Sequence, residues 1–228
     1  MKIGLIVAMP KELNSIISLL ESKQEITNSI YKYTVGKIGE HEIILMQCGI
    51  GKVNAAMGTE NMLNMFSPQL VISTGVAGGT DVSMEPMDVV VSSQLAYHDV
   101  FCGEENQFGQ VQGLPSRFST PNHIVSTATQ LNYSKKIHSG LILTGDWFVT
   151  TKEKVLSILD CFPEAKAVDM ESCAIAQVCY RRNIPFCSFR IISDIPLKNN
   201  PLHQYKDFWN TLADNSFNLT KQFIETLK

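Results

Sequence analysis

No stretch of the 228-residue sequence approaches the roughly 20 consecutive apolar residues that a membrane-spanning helix requires. A basic tract is also missing. Lys and Arg are dispersed and the formal net charge is −3, which leaves no positive field for a nucleic-acid backbone. The opening MKIGLIVAMPKEL carries too short an apolar segment, interrupted by base and acid, to read as a signal peptide. A cytoplasmic protein is expected. The six cysteines (Cys48, Cys102, Cys161, Cys173, Cys179 and Cys187) form no CxxC pair and have no histidine at metal-ligand spacing. They read as reduced core thiols, with no metal site, and none is marked as a nucleophile. Internal repeats, low-complexity tracts and linkers are absent, and 44% hydrophobic content is enough for a sizeable core, so one domain spanning residues 1–228 is expected.

What the sequence does contain is alternation. Apolar runs rich in β-branched residues at 2–8, 42–47, 70–74, 88–92, 140–144 and 186–193 read as strands. Segments with helical spacing lie between them at 12–21, 52–65, 122–131, 152–160 and 171–182, with a last one at 203–227. Strand and helix taking turns imply an α/β fold with a mainly parallel sheet covered on both faces, and YKYTVGKIGEHEIILMQ adds an antiparallel hairpin. The longest aperiodic stretch, 97–117, is polar and contains glycine, a candidate lid or interface loop.

Ligands of open α/β sheets bind beyond the carboxyl ends of the strands, which here carry AMPKE, CGIGKVNAA, GVAGGT and SDIPLKNN. CGIGKV lacks the earlier glycine and following Ser/Thr of a P-loop, and TGVAGGT does not fit GxGxxG. Each glycine cluster alone means a tight strand-to-helix turn, although two at one edge suit close approach of a small ligand. Glu12 can be a first-turn helix acid that favours the helix dipole. Asp169 can cap the helix that follows it. Asp194 can be a turn residue at a strand tip. Glu171 is harder to explain structurally, because the SCAIAQVC that follows is small and close-packed and offers no basic partner. His98 and Asp99 could form an acid/base pair but have no nucleophile near them in sequence, so a loop-positioning role is preferred. Phe148 suits either ordinary core packing or stacking on a planar base.

Taken in order, MKIGLIVAMPKEL, CGIGKVNAA, STGVAGGT, YHD, TGDWF, VDMES and RIISD resemble the 5'-methylthioadenosine/S-adenosylhomocysteine nucleosidases of the nucleoside phosphorylase superfamily, along nearly the whole chain. The resemblance implies a single nucleoside phosphorylase-like α/β domain with a central mixed sheet flanked by helices, and a homodimer whose neighbouring subunit's loop completes the 5' pocket. It assigns Glu12 as the base that activates water, Glu171 as the holder of the ribose hydroxyls, and Asp194, oriented by Ser193, as the acid that protonates adenine N7. Phe148 would stack on adenine and the backbone of Val149 would meet its edge. Met170 would lie under the sugar, Met9 and Ile50 beside the 5' substituent, Tyr205 as a further 5' wall, and Arg190 near the catalytic water and acids.

The implied chemistry is hydrolysis of an N-glycosidic bond in a 5'-substituted adenosine (methylthioadenosine, S-adenosylhomocysteine or 5'-deoxyadenosine), with release of adenine and no metal or organic cofactor. Acids around the sugar oppose the positive charge that develops as the bond breaks, and an acid at N7 must hold its proton far above the usual aspartate range. A phosphate nucleophile, as in a purine nucleoside phosphorylase, needs arginines near the sugar, which STGVAGG and the first loop lack. Three departures bear on the substrate. Val76 stands where Ser or Thr is usual, Asp169 stands where Glu is common, and the stretch after YHD is short and acidic. They leave aminodeoxyfutalosine as a rival nucleoside, and a non-catalytic nucleoside-binding module as the reading from another class.

Overall fold

A computed structural model describes residues 1–28, 30–211 and 217–228. Among them the chain runs β1 (Lys2–Val7), α1 (Pro10–Ile17), β2 (Glu21–Thr27), β3 (Lys32–Ile38), β4 (His41–Gln47), α2 (Lys52–Phe66), β5 (Leu70–Gly79), β6 (Val89–Tyr97), β7 (Phe118–Ser119), α3 (Asn122–Thr129), β8 (Ile137–Thr144), α4 (Lys152–Leu159), β9 (Ala165–Asp169), α5 (Ser172–Arg181), β10 (Phe186–Asp194), α6 (Pro201–Thr211) and α7 (Asn218–Thr226). No helix among these residues is long and apolar enough to cross a membrane.

All ten strands share one mixed sheet. β1 lies parallel to β4 on one side and to β5 on the other, and β4, β3 and β2 continue outward as antiparallel hairpins. Beyond β5 the sheet closes on itself. β5 pairs with β10, β10 with β6, β6 with β8, β8 with β9, and β9 returns to β5 at Gly78 and Gly79. β5 makes both halves possible because it is long, leaving β1 after Ser73 and running on into the closed part. Along β1 the side chains alternate between two cores. Ile3, Leu5 and Val7 join one with Phe189 and Phe223, while Ile6 joins the other with Met62 and Ile175. Both faces are therefore buried, and the strand reads as a continuous apolar run.

Each of the six predicted strands is present, with different limits in places. The glycine-rich 75–79 is the second half of β5, where a strand-to-helix turn was expected, and β6 runs on to Tyr97. The first helix ends at Ile17, four residues before its predicted limit, and β2 begins at Glu21. The predicted helix 203–227 resolves into α6 and α7, and 212–216 lie outside the described residues. The 97–117 segment packs on itself: the Gly109 N–H donates to the Val100 carbonyl at 2.9 Å, and Leu114 is buried. None of its residues lines the main cavity.

Candidate active site

A cavity of about 340 Å³ opens where β1, β5, β9 and β10 end or pass. Glu12, Glu171, Asp194, Met9, Ile50, Phe148, Val149, Met170, Ser193 and Tyr205 all line it. Of the residues anticipated from sequence, only Arg190 stands behind the wall. Trp147, Val168, Ala8, Ala77 and Gly78 also line it and were not anticipated, although Trp147 is adjacent to Phe148 in GDWF and Gly78 belongs to the glycine cluster.

Glu12 owes its position to the start of α1. Met9 is the N-cap and Pro10 follows at the first helical position, where its missing N–H costs nothing. This places Glu12 at the third position, from which its Oε2 accepts the N–H groups of Ala8 and Met9, each at 2.9 Å. Oε1 accepts the Val76 N–H from β5 at 3.0 Å. Those bonds and the Arg190 guanidinium favour the carboxylate, yet burial outweighs them and raises the Glu12 pKa above the ordinary range. Gly75 is required here: a Cβ on it would come within 2.3 Å of Glu12 Oε1 and 2.7 Å of Arg190 Nη1. The glycine of the STGVAGG run leaves room for a carboxylate and a guanidinium to approach the same point of one strand.

Arg190, on β10, is 1% exposed. Its Nε lies 3.0 Å from Asp169 Oδ2 and its Nη2 lies 3.7 Å from Glu171 Oε2. Nη2 also donates to Ser73 Oγ at 2.9 Å and Ser172 Oγ at 3.0 Å. Asp169 performs the anticipated capping, with Oδ1 accepting the N–H groups of Glu171 at 3.3 Å and Ser172 at 3.2 Å. It also pairs with Arg190 and accepts the Thr144 hydroxyl at 2.6 Å. Glu171, which lacks a basic partner nearby in sequence, has one in space, and its Oε1 accepts the Gly51 N–H at 3.0 Å. Burial raises its pKa; Arg190 opposes the shift and Asp169 adds to it.

Asp194 is treated differently. A bulge in β10 leaves Ser193 as an extra residue between Ile192, paired with Ala77, and Asp194, paired with Gly78, a device that re-aims side chains near sites. Both Ser193 and Asp194 reach the cavity. The Ser193 hydroxyl donates to Asp194 Oδ1 at 2.6 Å, and among the described residues no cation pairs with this carboxyl. Burial therefore wins and pushes its pKa up to about 6, with the Ser193 bond pulling the other way.

The opposite wall is aromatic. The Phe148 ring, 52% exposed, meets Tyr205 edge-on at 5.4 Å, and the Tyr205 hydroxyl lies 3.9 Å from Met9 Sδ. Lys154 sits 4.1 Å over the Trp147 ring. The YHD residues serve loop structure. His98 is buried against Gly145, with no hydrogen-bond partner for either ring nitrogen among the described residues. Asp99 binds Lys52 at 2.7 Å and the Asp146 N–H at 2.8 Å. Asp146 in turn accepts the first helical N–H of α2, from Lys52, at 2.8 Å, and so steadies the turn that presents Gly51 to Glu171.

Four carboxyl residues, Glu12, Asp169, Glu171 and Asp194, thus line one cavity that no Lys, Arg or His side chain lines among the described residues. The profile of the phosphorylase superfamily matches residues 2–225. A 5'-methylthioadenosine/S-adenosylhomocysteine nucleosidase from Desulfotalea psychrophila is 38% identical over 100% of this chain and 99% of its own. The S-adenosylhomocysteine nucleosidase of Streptococcus pyogenes, solved with 5-methylthiotubericidin, superposes with a TM-score of 0.93 at 33% identity, covering 100% of this chain and 98% of that one. The S. pneumoniae 5'-methylthioadenosine/S-adenosylhomocysteine nucleosidase, solved with the transition-state inhibitor MT-ImmA, gives 0.93 and 33% over 100% of both chains.

Proposed function

The chain belongs to the 5'-methylthioadenosine/S-adenosylhomocysteine nucleosidases of the phosphorylase superfamily, N-glycosyl hydrolases that release adenine, and from that premise we propose how its residues divide the work. Glu12 takes a proton from water, and the resulting hydroxide bonds to C1' of the ribose. The C1'–N9 electron pair leaves with adenine, and Asp194 delivers its proton to N7. Glu171 accepts hydrogen bonds from the ribose hydroxyls and, with Glu12, opposes the positive charge that grows on the sugar. Phe148 stacks on the base, the Val149 backbone meets its edge, Met170 lies under the sugar, and Met9, Ile50 and Tyr205 border the 5' substituent.

The observation that carries this reading is the contrast among the buried carboxyls. At Glu12 and Glu171 the Arg190 guanidinium opposes the proton uptake that burial favours, whereas at Asp194 only the Ser193 hydroxyl opposes it. Water is favoured over phosphate as nucleophile because an anion entering this cavity would meet carboxylates and no lining cation.

The proposal includes a single domain over 1–228, a cytoplasmic location and a homodimer. In support of the homodimer, Ile50, Val53 and Met57 at the start of α2 and Phe101 in the 97–117 segment are all more than half exposed, an apolar surface beside the cavity that a second copy would cover. Six free thiols suit a reducing compartment. The deciding assay incubates the protein in phosphate-free buffer with methylthioadenosine, S-adenosylhomocysteine and aminodeoxyfutalosine separately and follows adenine by chromatography. Adenine release without phosphate is expected, and the ranking of rates names the 5' group. Release only after phosphate is added would make the chain a phosphorylase.

A further inference from the structure

Arg190 is surrounded by hydroxyls as well as carboxylates, and the hydrogens can be assigned. Ser172 Oγ is fully buried and donates to Asp169 Oδ2. Its single hydrogen is thereby used, so in the 2.7 Å pair with Ser188 Oγ it is Ser188 that donates. The remaining lone pair of Ser172 accepts Arg190, at 3.0 Å from Nη2 and 3.3 Å from Nε. Ser73 Oγ, 1% exposed, accepts Nη2 from the other side. These serines come from α5, β10 and β5, and none of the three lines the cavity.

We infer that Ser172, seconded by Ser73, is a positioning residue that fixes where the Arg190 guanidinium sits among Asp169, Glu171 and Glu12. A cation among three carboxylates has no unique resting place from attraction alone. Asp169 is nearest, at 3.0 Å through Oδ2, while its Oδ1 is filled by the Thr144 hydroxyl and the Glu171 and Ser172 N–H groups, so Oδ2 is the oxygen that can draw the guanidinium further in. Ser172 limits that pull by sharing Asp169 Oδ2 with its own hydrogen and holding Nη2 with its oxygen, and Ser73 holds Nη2 toward β5. Nη1 is thereby kept at the Gly75 gap beside Glu12. The groups that face the guanidinium are Asp169, Glu171, Glu12 and the Cys48 thiol. Removing the Ser172 hydroxyl lets Arg190 turn toward Asp169 and away from Glu12, whose ionised form then loses its cation. The inference rests on the roles proposed for Glu12 and Glu171.

The test compares Ser172→Ala and Ser73→Ala with wild type over the full pH profile. The expected result is a fall of about tenfold in kcat/KM near neutrality, the scale of one lost hydrogen bond to a charged group, with KM almost unchanged. The acid limb of the profile should move up by about one pH unit. Ser73→Ala carries the test if Ser172→Ala does not fold. An acid limb that stays in place in both variants overturns the inference, whatever happens to their melting temperatures. The Arg190 Nε–H resonance gives a second readout that needs no turnover: it should shift in Ser172→Ala, and an unmoved signal refutes the positioning role even if the wild type proves to be no nucleosidase. Wild type that releases no adenine would refute the functional reading alone.

Discussion

Two positions on β10, Arg190 and Asp194, lie four residues apart and are equally sealed from water, at 1% and 4% exposure, yet the chain treats their charges in opposite ways. At Arg190 the strand runs between β5 and β6, and carboxylates from α1, β9 and the start of α5 gather round the guanidinium. At Asp194, past the bulge, the carboxyl meets a serine hydroxyl and nothing positive. Depth alone therefore does not decide protonation. The partners differ: beside Arg190 the guanidinium opposes the proton uptake that burial favours at Glu12 and Glu171, and at Asp194 only the Ser193 hydroxyl opposes it. The division of labour proposed above, a proton taken from water at one face of a sugar and one given to the leaving base at the other, uses both kinds of surroundings in one cavity, and one strand carries Arg190 and Asp194 alike.

The comparison breaks most severely at Arg190. Arg190→Met keeps much of the side-chain volume but strands Asp169, Glu171 and Glu12 without their cation, and the expected loss is about 3–5 kcal/mol of folding stability. Denaturant unfolding reads it directly. A variant as stable as wild type would mean that the acids around Arg190 carry little charge, and the contrast with Asp194 would disappear.

Asp194→Asn tests the other end. Turnover should drop by at least about a hundredfold, equivalent to about 2.7 kcal/mol of barrier, while nucleosides still bind. If Asp194 is the general acid, wild-type kcat/KM should fall as pH rises past about 6, and this limb should be missing from the variant's residual activity. Stability follows the same proton. The folded protein binds it more tightly than the unfolded chain does, so this contribution is complete below the ordinary value of 3.8 and is lost as pH rises to about 6. A shift of that size corresponds to about 3 kcal/mol. The asparagine variant lacks the decline and should gain on wild type between pH 4 and pH 7. A constant difference in stability across that range would show that Asp194 is not an isolated buried acid.

How much of this was visible in the sequence divides along the same line. The strand ends and the acids upon them were legible because β-branched runs mark buried strands and site residues follow them, and the ordered motifs located each anticipated residue at or behind the cavity wall. The surroundings of Arg190 were not legible. Its partners come from α1, β5, β9 and α5, so Glu171 looked unpartnered when only its own helix was considered. The GVAGG segment looked like a turn because local preference assigns glycine to turns, whereas here glycine continues β5 past the point that Glu12 and Arg190 both approach. β2 escaped notice for another reason: it is an edge strand with almost every residue exposed, and it has no apolar alternation to detect.

The smallest effect expected lies on the aromatic wall, and it sharpens the comparison by separating rate from affinity. Phe148 is half exposed and touches Tyr205 only edge-on, so it contributes little to the folded state. If it stacks on adenine, Phe148→Ala removes an interaction worth about 0.5–1.5 kcal/mol beyond area burial, present equally before and during bond cleavage. Such uniform binding appears in KM and leaves kcat unchanged. The expected outcome is a KM raised up to about tenfold with nearly constant kcat, the reverse of the pattern for Asp194→Asn. A kcat that falls with an unaltered KM would mean that Phe148 acts on the transition state, and the division between a charged end that sets the rate and an aromatic end that sets affinity would have to be abandoned.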